Sequence, residues 1–332
     1  MTKEQNLTLL LRILRGELPP PNLDEDSWME LISTAGHQTV TGLLYKAAEG
    51  FPEGTRLPDR VLFTLLAKVR KTVSRNLELA QAEKEALGIL RSGGLAPLVM
   101  KGSTCAARYP SPELRTGGDI DLYIPETDFP KALEVVRAAG IECSQKPDTS
   151  VSFILKGCEV ELHRRYFDLH VRKAALPPVG TPEAELLMLS AHILKHACSA
   201  GVGLRQLCDM ALAYARLPYD VQRYRKACEQ CGILRWTRML SSFLNQYLGA
   251  DAPLFGLPAE DPAPLEKIIR RGGNFGHFEP SRERALSRKP FLRKLDTLGR
   301  LLRSVPFALR YAPGETGFLL RTLLKGNIQS LT

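Results

Sequence analysis

LVMKGSTCAARYPSPELRTGGDIDLYI, residues 98–124, carries two short apolar runs separated by a glycine- and charge-rich connection. Its last part, Asp119-Ile120-Asp121-Leu122-Tyr123-Ile124, alternates acidic and apolar residues directly after Gly117-Gly118, a period-two pattern that predicts a short strand. Residues i and i+2 of a strand share a face, with Cα atoms about 6.5–7 Å apart. Asp119 and Asp121 therefore project to one side, where two carboxylates repel unless a cation or solvent lies between them. Mg²⁺ takes such oxygen ligands together with substrate phosphates. The first part, Leu98-Val99-Met100, predicts another short strand, ending in Lys101-Gly102-Ser103 at the head of a helix-like run from Thr104 to Tyr109. A Gly-Ser turn at a helix start presents backbone N–H groups suited to phosphate.

The stretch lies inside a segment, about 96–166, that alternates strand and helix. Strands are predicted at 97–101, 119–124, Val151–Leu155 and Cys158–Leu162, with helices at 103–109 and 126–139 and a tight hairpin at Lys156-Gly157. On either side the pattern is helical. Leu7, Leu10, Leu11 and Leu14 mark one helix; a second starts near Asp24-Glu25-Asp26. A long helix runs from Asp59 to Ser92, burying a stripe of Leu62, Leu65, Leu66, Val69, Val73 and Leu77. After Thr181-Pro182-Glu183, helices are predicted at 183–199, 204–216, 219–231 and 234–248, with two or three more beyond the Pro-rich stretch 253–264. The fold class is α+β: a small mixed sheet at 96–170, flanked by an N-terminal helical region, 1–95, and a C-terminal helical region, 171–332.

The order Lys101-Gly102, Tyr109-Pro110, Arg115 and Asp119-Ile120-Asp121-Leu122 resembles a bacterial family of uncharacterised nucleotidyltransferases within the polymerase-β-like superfamily. The gap between Ser103 and Asp119 exceeds that of the general superfamily signature and agrees with the narrower family. The core of the resemblance spans roughly residues 96–165. It continues more weakly through His196, Arg205-Gln206-Leu207-Cys208-Asp209 and Gly272-Gly273-Asn274-Phe275-Gly276. It implies a small catalytic sheet, a nucleoside triphosphate substrate, Mg²⁺ as cofactor and a third carboxylate, Glu161, beside Asp119 and Asp121 as catalytic metal ligand. Glu159 and His163 share the Glu161 strand face, and spacing does not separate Glu159 from Glu161.

The remaining candidates follow from residue chemistry. Gly102 allows close backbone approach and Ser103 can donate to a phosphate oxygen. Lys101 and Arg115 can stabilise charge developing on the transferred phosphorus; a salt bridge from Arg115 to Glu113 or Asp128 is the plain alternative. Besides ligating metal, Glu161 would help activate the acceptor hydroxyl. His163 is a candidate phosphate contact or a surface histidine. Arg205 and Asp209 stand i,i+4, as an intrahelical ion pair would; the resemblance implies instead that they line the nucleotide cleft with His196. His192 and His196 share a helix face but lack the glutamate of a zinc-protease motif, so no metal role is expected for them.

Composition bounds the rest. The 332 residues are 44% hydrophobic and 24% charged, as in a soluble globular protein. No run approaches the 18 apolar residues of a membrane span, and the N-terminus does not read as a secretory signal. Seven scattered cysteines suggest reduced thiols in the cytoplasm, and Cys228-x-x-Cys231 lacks the second pair of a zinc ribbon. The net charge of +9 is concentrated between Arg282 and Lys325, where eleven Lys or Arg meet three acids. There Phe291, Leu295, Leu298, Leu302 and Val305 recur at helical spacing, with Arg293, Lys294, Arg300 and Arg303 off the stripe. That face is read as solvated, or as a guide for an RNA acceptor. The expectation is a cytoplasmic Mg²⁺-dependent nucleotidyltransferase acting on an RNA, protein or small-molecule acceptor. Its rivals are a silent nucleotide-binding or interaction module and an RNA-binding factor acting through the tail.

Overall fold

A computed structural model of the chain describes residues 1–21, 23–146, 150–169, 176–199, 201–273 and 305–317. Eleven α-helices and five strands are assigned up to residue 273, and residues 305–311 and 313–317 are helical as well. The strands are β1 (Leu98–Val99), β2 (Ile120–Tyr123), β3 (Ser144–Gln145), β4 (Val151–Leu155) and β5 (Cys158–His163), in the order β1-β2-β5-β4-β3. Only β2 and β5 pair in parallel; the other neighbours are antiparallel, so the sheet is mixed. The β4–β5 hairpin turns on Lys156 and Gly157, both at positive φ (49° and 72°), the pair of left-handed residues that a two-residue type I′ loop demands.

Strand periodicity gives the sheet two different faces. Ile120, Leu122, Phe153, Cys158, Val160 and Leu162 point into an apolar core that they share with α6 (Phe129–Ala138) and the second half of α4 (Asp59–Ser92). Asp121, Glu161 and His163 point the other way. A second, larger core unites the N-terminal helices α1 (Lys3–Leu14), α2 (Glu25–His37) and α3 (Thr41–Ala48) with the C-terminal helices α7 (Pro182–Ala197), α8 (Leu204–Arg216), α9 (Val221–Gln230), α10 (Leu234–Leu248) and α11 (Ala263–Gly272). Buried Gln38 joins the two sets: its Nε2 donates to Ile269 O (3.3 Å), and its Oε1 accepts from Leu204 N (3.1 Å).

Local signals set the helix ends. Thr2 and Gln5 form a capping box on α1, Asp24 caps α2, and Thr181 caps α7 with Pro182 in its first turn. Helix α4 departs from its expected stripe. Leu62, Leu66 and Leu77 are 36%, 37% and 62% exposed, whereas Val61, Leu65 and Val69 enter the larger core and Leu79, Ala82, Ala86 and Leu90 the sheet core. One straight stripe cannot serve both. Ten residues at about 100° each turn the buried face by about 80° between Val69 and Leu79.

Of the basic tail, Val305 and residues up to 317 are described: Phe307 meets Trp236 edge-on (6.0 Å) and Tyr311 is buried. Arg293, Lys294, Arg300 and Arg303 lie outside the described residues. Among the described residues, no helix is long and apolar enough to cross a membrane.

Gly42, in the first turn of α3, lets the chain at Leu114 pass so close that an added Cβ would stand 2.0 Å from Leu114 O. Backbone cannot yield as a side chain does. Gly42→Ala is expected to destabilise the protein by about 2 kcal/mol or more, read as a lower urea midpoint.

Candidate active site

The polar face of the sheet looks across a cavity of about 450 Å³ toward α7 and α8. The sheet supplies Asp121 and Glu161, register partners across the parallel β2–β5 ladder, and His163 two residues further along β5. Asp119, just before β2, and Lys101 and Gly102, just after β1, complete that wall. The opposite wall includes His192, Lys195 and His196 from α7, and Arg205 and Asp209 from α8.

Asp121 is the centre of the site and 1% exposed. Its Oδ1 is 2.8 Å from His163 Nε2, and its Oδ2 is 3.2 Å from Lys101 Nζ without forming a well-directed hydrogen bond. Burial raises the Asp121 carboxyl pKa, but Lys101 and His163 outweigh it and hold the group well below the ordinary carboxylate range. The ammonium of Lys101 is reciprocally strengthened: burial disfavours its charge, and Asp121, Asp119 and Asp168 more than compensate.

Glu161 accepts from Lys146 and lies 3.5 Å from His163 Nε2. Burial and the neighbouring Asp121 raise its pKa against the pull of Lys146. Lys146 also pairs with Glu159 at 2.8 Å, but Glu159 keeps 42% of its side chain exposed and does not line the cavity. Ligand atoms of Asp121, Glu161 and His163 all fall within 4.8 Å of one another. Two carboxylates and an imidazole, with one buried carboxylate oxygen lacking a hydrogen bond, fit a divalent cation. Asp119 lines the same cavity outside that group.

Other expected residues take unexpected partners. Ser103 donates to both carboxylate oxygens of Glu83 on α4 (2.9 and 2.8 Å) and does not line the cavity. Gly102 precedes a helix of only four residues, α5 (Ser103–Ala106), and holds φ +76°, a conformation that favours glycine. Arg115 pairs with neither Glu113 nor Asp128. Its guanidinium grips Asp209 through Nε–Oδ1 (2.9 Å) and Nη2–Oδ2 (2.7 Å), while Tyr109 Oη donates to Oδ1 (2.8 Å). This buried clasp engages Asp209 in place of an intrahelical Arg205–Asp209 pair, and both residues line the cavity. Arg205 instead donates Nη1 to Thr116 O (2.8 Å), and its Nε is buried without a hydrogen-bond partner at the cavity.

Sequence reasoning missed several residues that shape the site. Asn76, in the middle of α4, donates Nδ2 to Glu113 O (2.7 Å) and Arg115 O (2.8 Å) and accepts from Gly117 N (3.0 Å), splinting the connection into β2. A single asparagine among the polar residues of a helix carries no signal of this in the sequence. Lys146 directly follows β3, a strand of two residues too short to anticipate. Asp168 holds His192 Nδ1 (3.2 Å) and Lys195 Nζ (3.0 Å).

A family model described as an uncharacterised nucleotidyltransferase matches residues 24–249. No curated protein and no solved structure matches the chain.

Two outcomes follow from the buried charges. Asp209→Ala leaves the Arg115 guanidinium buried and uncompensated, so it is expected to cost about 3–5 kcal/mol of stability, measurable by denaturant unfolding. Burial and Lys101 lower the pKa of His192, and burial and His192 lower that of His196. The folded chain thus binds fewer protons than the unfolded one below the ordinary histidine value of about 6.5. Stability is expected to be level above that value and to fall as the pH drops from about 6.5 to 5.5, with a smaller fall in His196→Gln, followed as urea midpoints.

Proposed function

Because this chain belongs to the uncharacterised nucleotidyltransferase family, we propose that it transfers a nucleoside monophosphate from a nucleoside triphosphate to an acceptor hydroxyl, with a divalent metal ion as cofactor and release of pyrophosphate. The observation that carries this reading is the adjacency of Asp121 and Glu161 across the β2–β5 ladder, with His163 closing the group. Asp121 and Glu161 would hold the cation, with His163 or Asp119 beside them. Mg²⁺ suits the carboxylates, while the imidazole favours Mn²⁺ more than Mg²⁺. When bound, the ion would polarise the phosphoryl oxygens and neutralise charge on the leaving pyrophosphate.

The chain's own groups divide the remaining work. Lys101 and Arg205 bring positive charge into the cavity, and Arg205 keeps an N–H without a protein acceptor; both suit the phosphates. His196 lines the same wall and would contact the nucleotide. Arg115 and Asp209 act by fixing α8 against the β2 approach, which sets the position of Arg205. Ser103 reaches a phosphate only by exchanging Glu83 for it, so Gly102 and the backbone matter more there than the hydroxyl.

Purified protein incubated with α-labelled triphosphates, Mg²⁺ or Mn²⁺ and cell extract tests the reading through the label acquired by an acceptor. Asp121→Asn and Glu161→Gln are each expected to lower transfer at least a hundredfold, about 2.7 kcal/mol in barrier, and to weaken Mn²⁺ binding in calorimetry. Glu159→Gln should transfer within about threefold of wild type, about 0.7 kcal/mol. A reversed order between the two glutamates moves the third ligand to Glu159.

A further inference from the structure

Helix α7 brings to the cavity a base that the metal and phosphate contacts leave unused. His192 is 15% exposed, and its Nδ1 stands 3.2 Å from Asp168 Oδ2. An ionised carboxylate only accepts, so Nδ1 carries the hydrogen and Nε2 keeps its lone pair. Lys195 Nζ holds the other Asp168 oxygen at 3.0 Å, so the carboxylate is braced as well as the ring. The Nε2 lone pair faces Lys101 Nζ (3.3 Å) and His196 Nε2 (3.1 Å), and both can donate to it. Lys101 is the same ammonium that lies 3.2 Å from Asp121. A single side chain therefore separates this lone pair from the acidic cluster.

Two of the cavity's acids are poorly placed to accept a proton. Asp121 sits between Lys101 and His163, and Asp209 is gripped by Arg115 and Tyr109. Protonating either breaks an ion pair in a buried setting, which is costly. Glu161 and Asp119 are engaged by the cation in the proposed reading. Protonating His192 breaks no ion pair of its own, and Asp168 offsets part of the burial cost of the imidazolium. Burial and Lys101 also keep it neutral, hence ready to accept, at neutral pH.

We propose that His192 is the general base of the transfer and that Asp168 is its positioning residue. The inference rests on the nucleotidyltransferase reading and transfers the activation of the acceptor from Glu161 to α7. As the acceptor oxygen forms its bond to the α-phosphorus, its proton passes to His192 Nε2. The bond from the α-phosphorus to the bridging oxygen breaks, and that electron pair leaves on pyrophosphate. Lys101, drawn toward the triphosphate, and His196, turned to the nucleotide it would contact, both release Nε2 and open its lone pair to the acceptor. The imidazolium then returns its proton to solvent. A base of this strength suits an acceptor hydroxyl, which attacks poorly until its proton is removed.

The test compares wild type, His192→Gln and Asp168→Asn, with transfer followed from α-labelled triphosphate and triphosphate binding measured separately by calorimetry with a non-hydrolysable analogue. The groups facing His192 are Lys101, Asp168, Lys195, His196 and, through Lys101, Asp121. His192→Gln is expected to bind the analogue within threefold of wild type yet transfer about 10²–10⁴-fold more slowly. Wild-type kcat should fall on the acid side below about pH 6.5, a limb that His192→Gln loses. Asp168→Asn should keep the limb but move it to lower pH, because Asp168 is a group that raises the His192 pKa. Transfer by His192→Gln within threefold of an active wild type overturns the proposal and leaves the nucleotidyltransferase reading standing. Weakened analogue binding with unchanged kcat also overturns it, making His192 a nucleotide contact. If His192→Gln does not fold, Asp168→Asn decides, and an unmoved acid limb is the refuting result. A wild type that transfers from no triphosphate removes both readings together.

Discussion

A carboxylate buried in the middle of a sheet is the constraint around which the polar half of this protein is organised. Asp121 has almost no contact with solvent, so its charge must be met by the protein. Lys101 from the end of β1 and His163 from the end of β5 meet it, and both arrive because β2 is the strand between β1 and β5. Pairing β2 with β5 in parallel then sets Glu161 beside Asp121 and adds a second negative charge, which Lys146 answers. Charge and counter-charge alternate across the cavity wall. Such a wall can exchange an internal cation for an external one without leaving a bare charge behind.

The same logic explains how the helical half is locked to the sheet. Arg115, on the connection into β2, and Asp209, on α8, form a two-pronged contact with Tyr109 as its third member. Asn76 splints the same connection from α4, and Gln38 fastens the start of α8 to both α2 and α11. These polar contacts give direction where apolar packing alone gives only proximity. They set the distance between the acidic sheet face and the basic and histidine-bearing helices.

Local chemistry was readable from the chain: the acidic strand, the Lys156-Gly157 hairpin, the helix starts at Asp24 and Thr181, and the long helix to Ser92 all depend on residues within a few positions of each other. Partner choice was not readable. Arg115 looked equally suited to Glu113 or Asp128, and Arg205 to Asp209, because charge and spacing are all that a sequence displays. The actual partners lie 94 residues apart for Arg115 and Asp209, and 91 for Lys101 and His192. His163 could not be distinguished from a surface histidine until the parallel register placed it against Asp121. The α4 stripe failed for a related reason. A periodicity argument assumes one packing surface, and this helix has two.

That double allegiance of α4 makes length a constraint in its own right. Between Val69 and Leu79 no residue of the helix is fully buried, so apart from Asn76, which splints the β2 connection, and Val73, which packs on the larger core, side chains there are free to vary. Their number is not. Adding or removing one residue would turn the second half by about 100° and shift it by about 1.5 Å, carrying Ala82, Ala86 and Leu90 off the sheet while Val61, Leu65 and Val69 stayed in place. The segment behaves as a spacer gauge: tolerant of composition, intolerant of insertion, and responsible for keeping the two cores in phase.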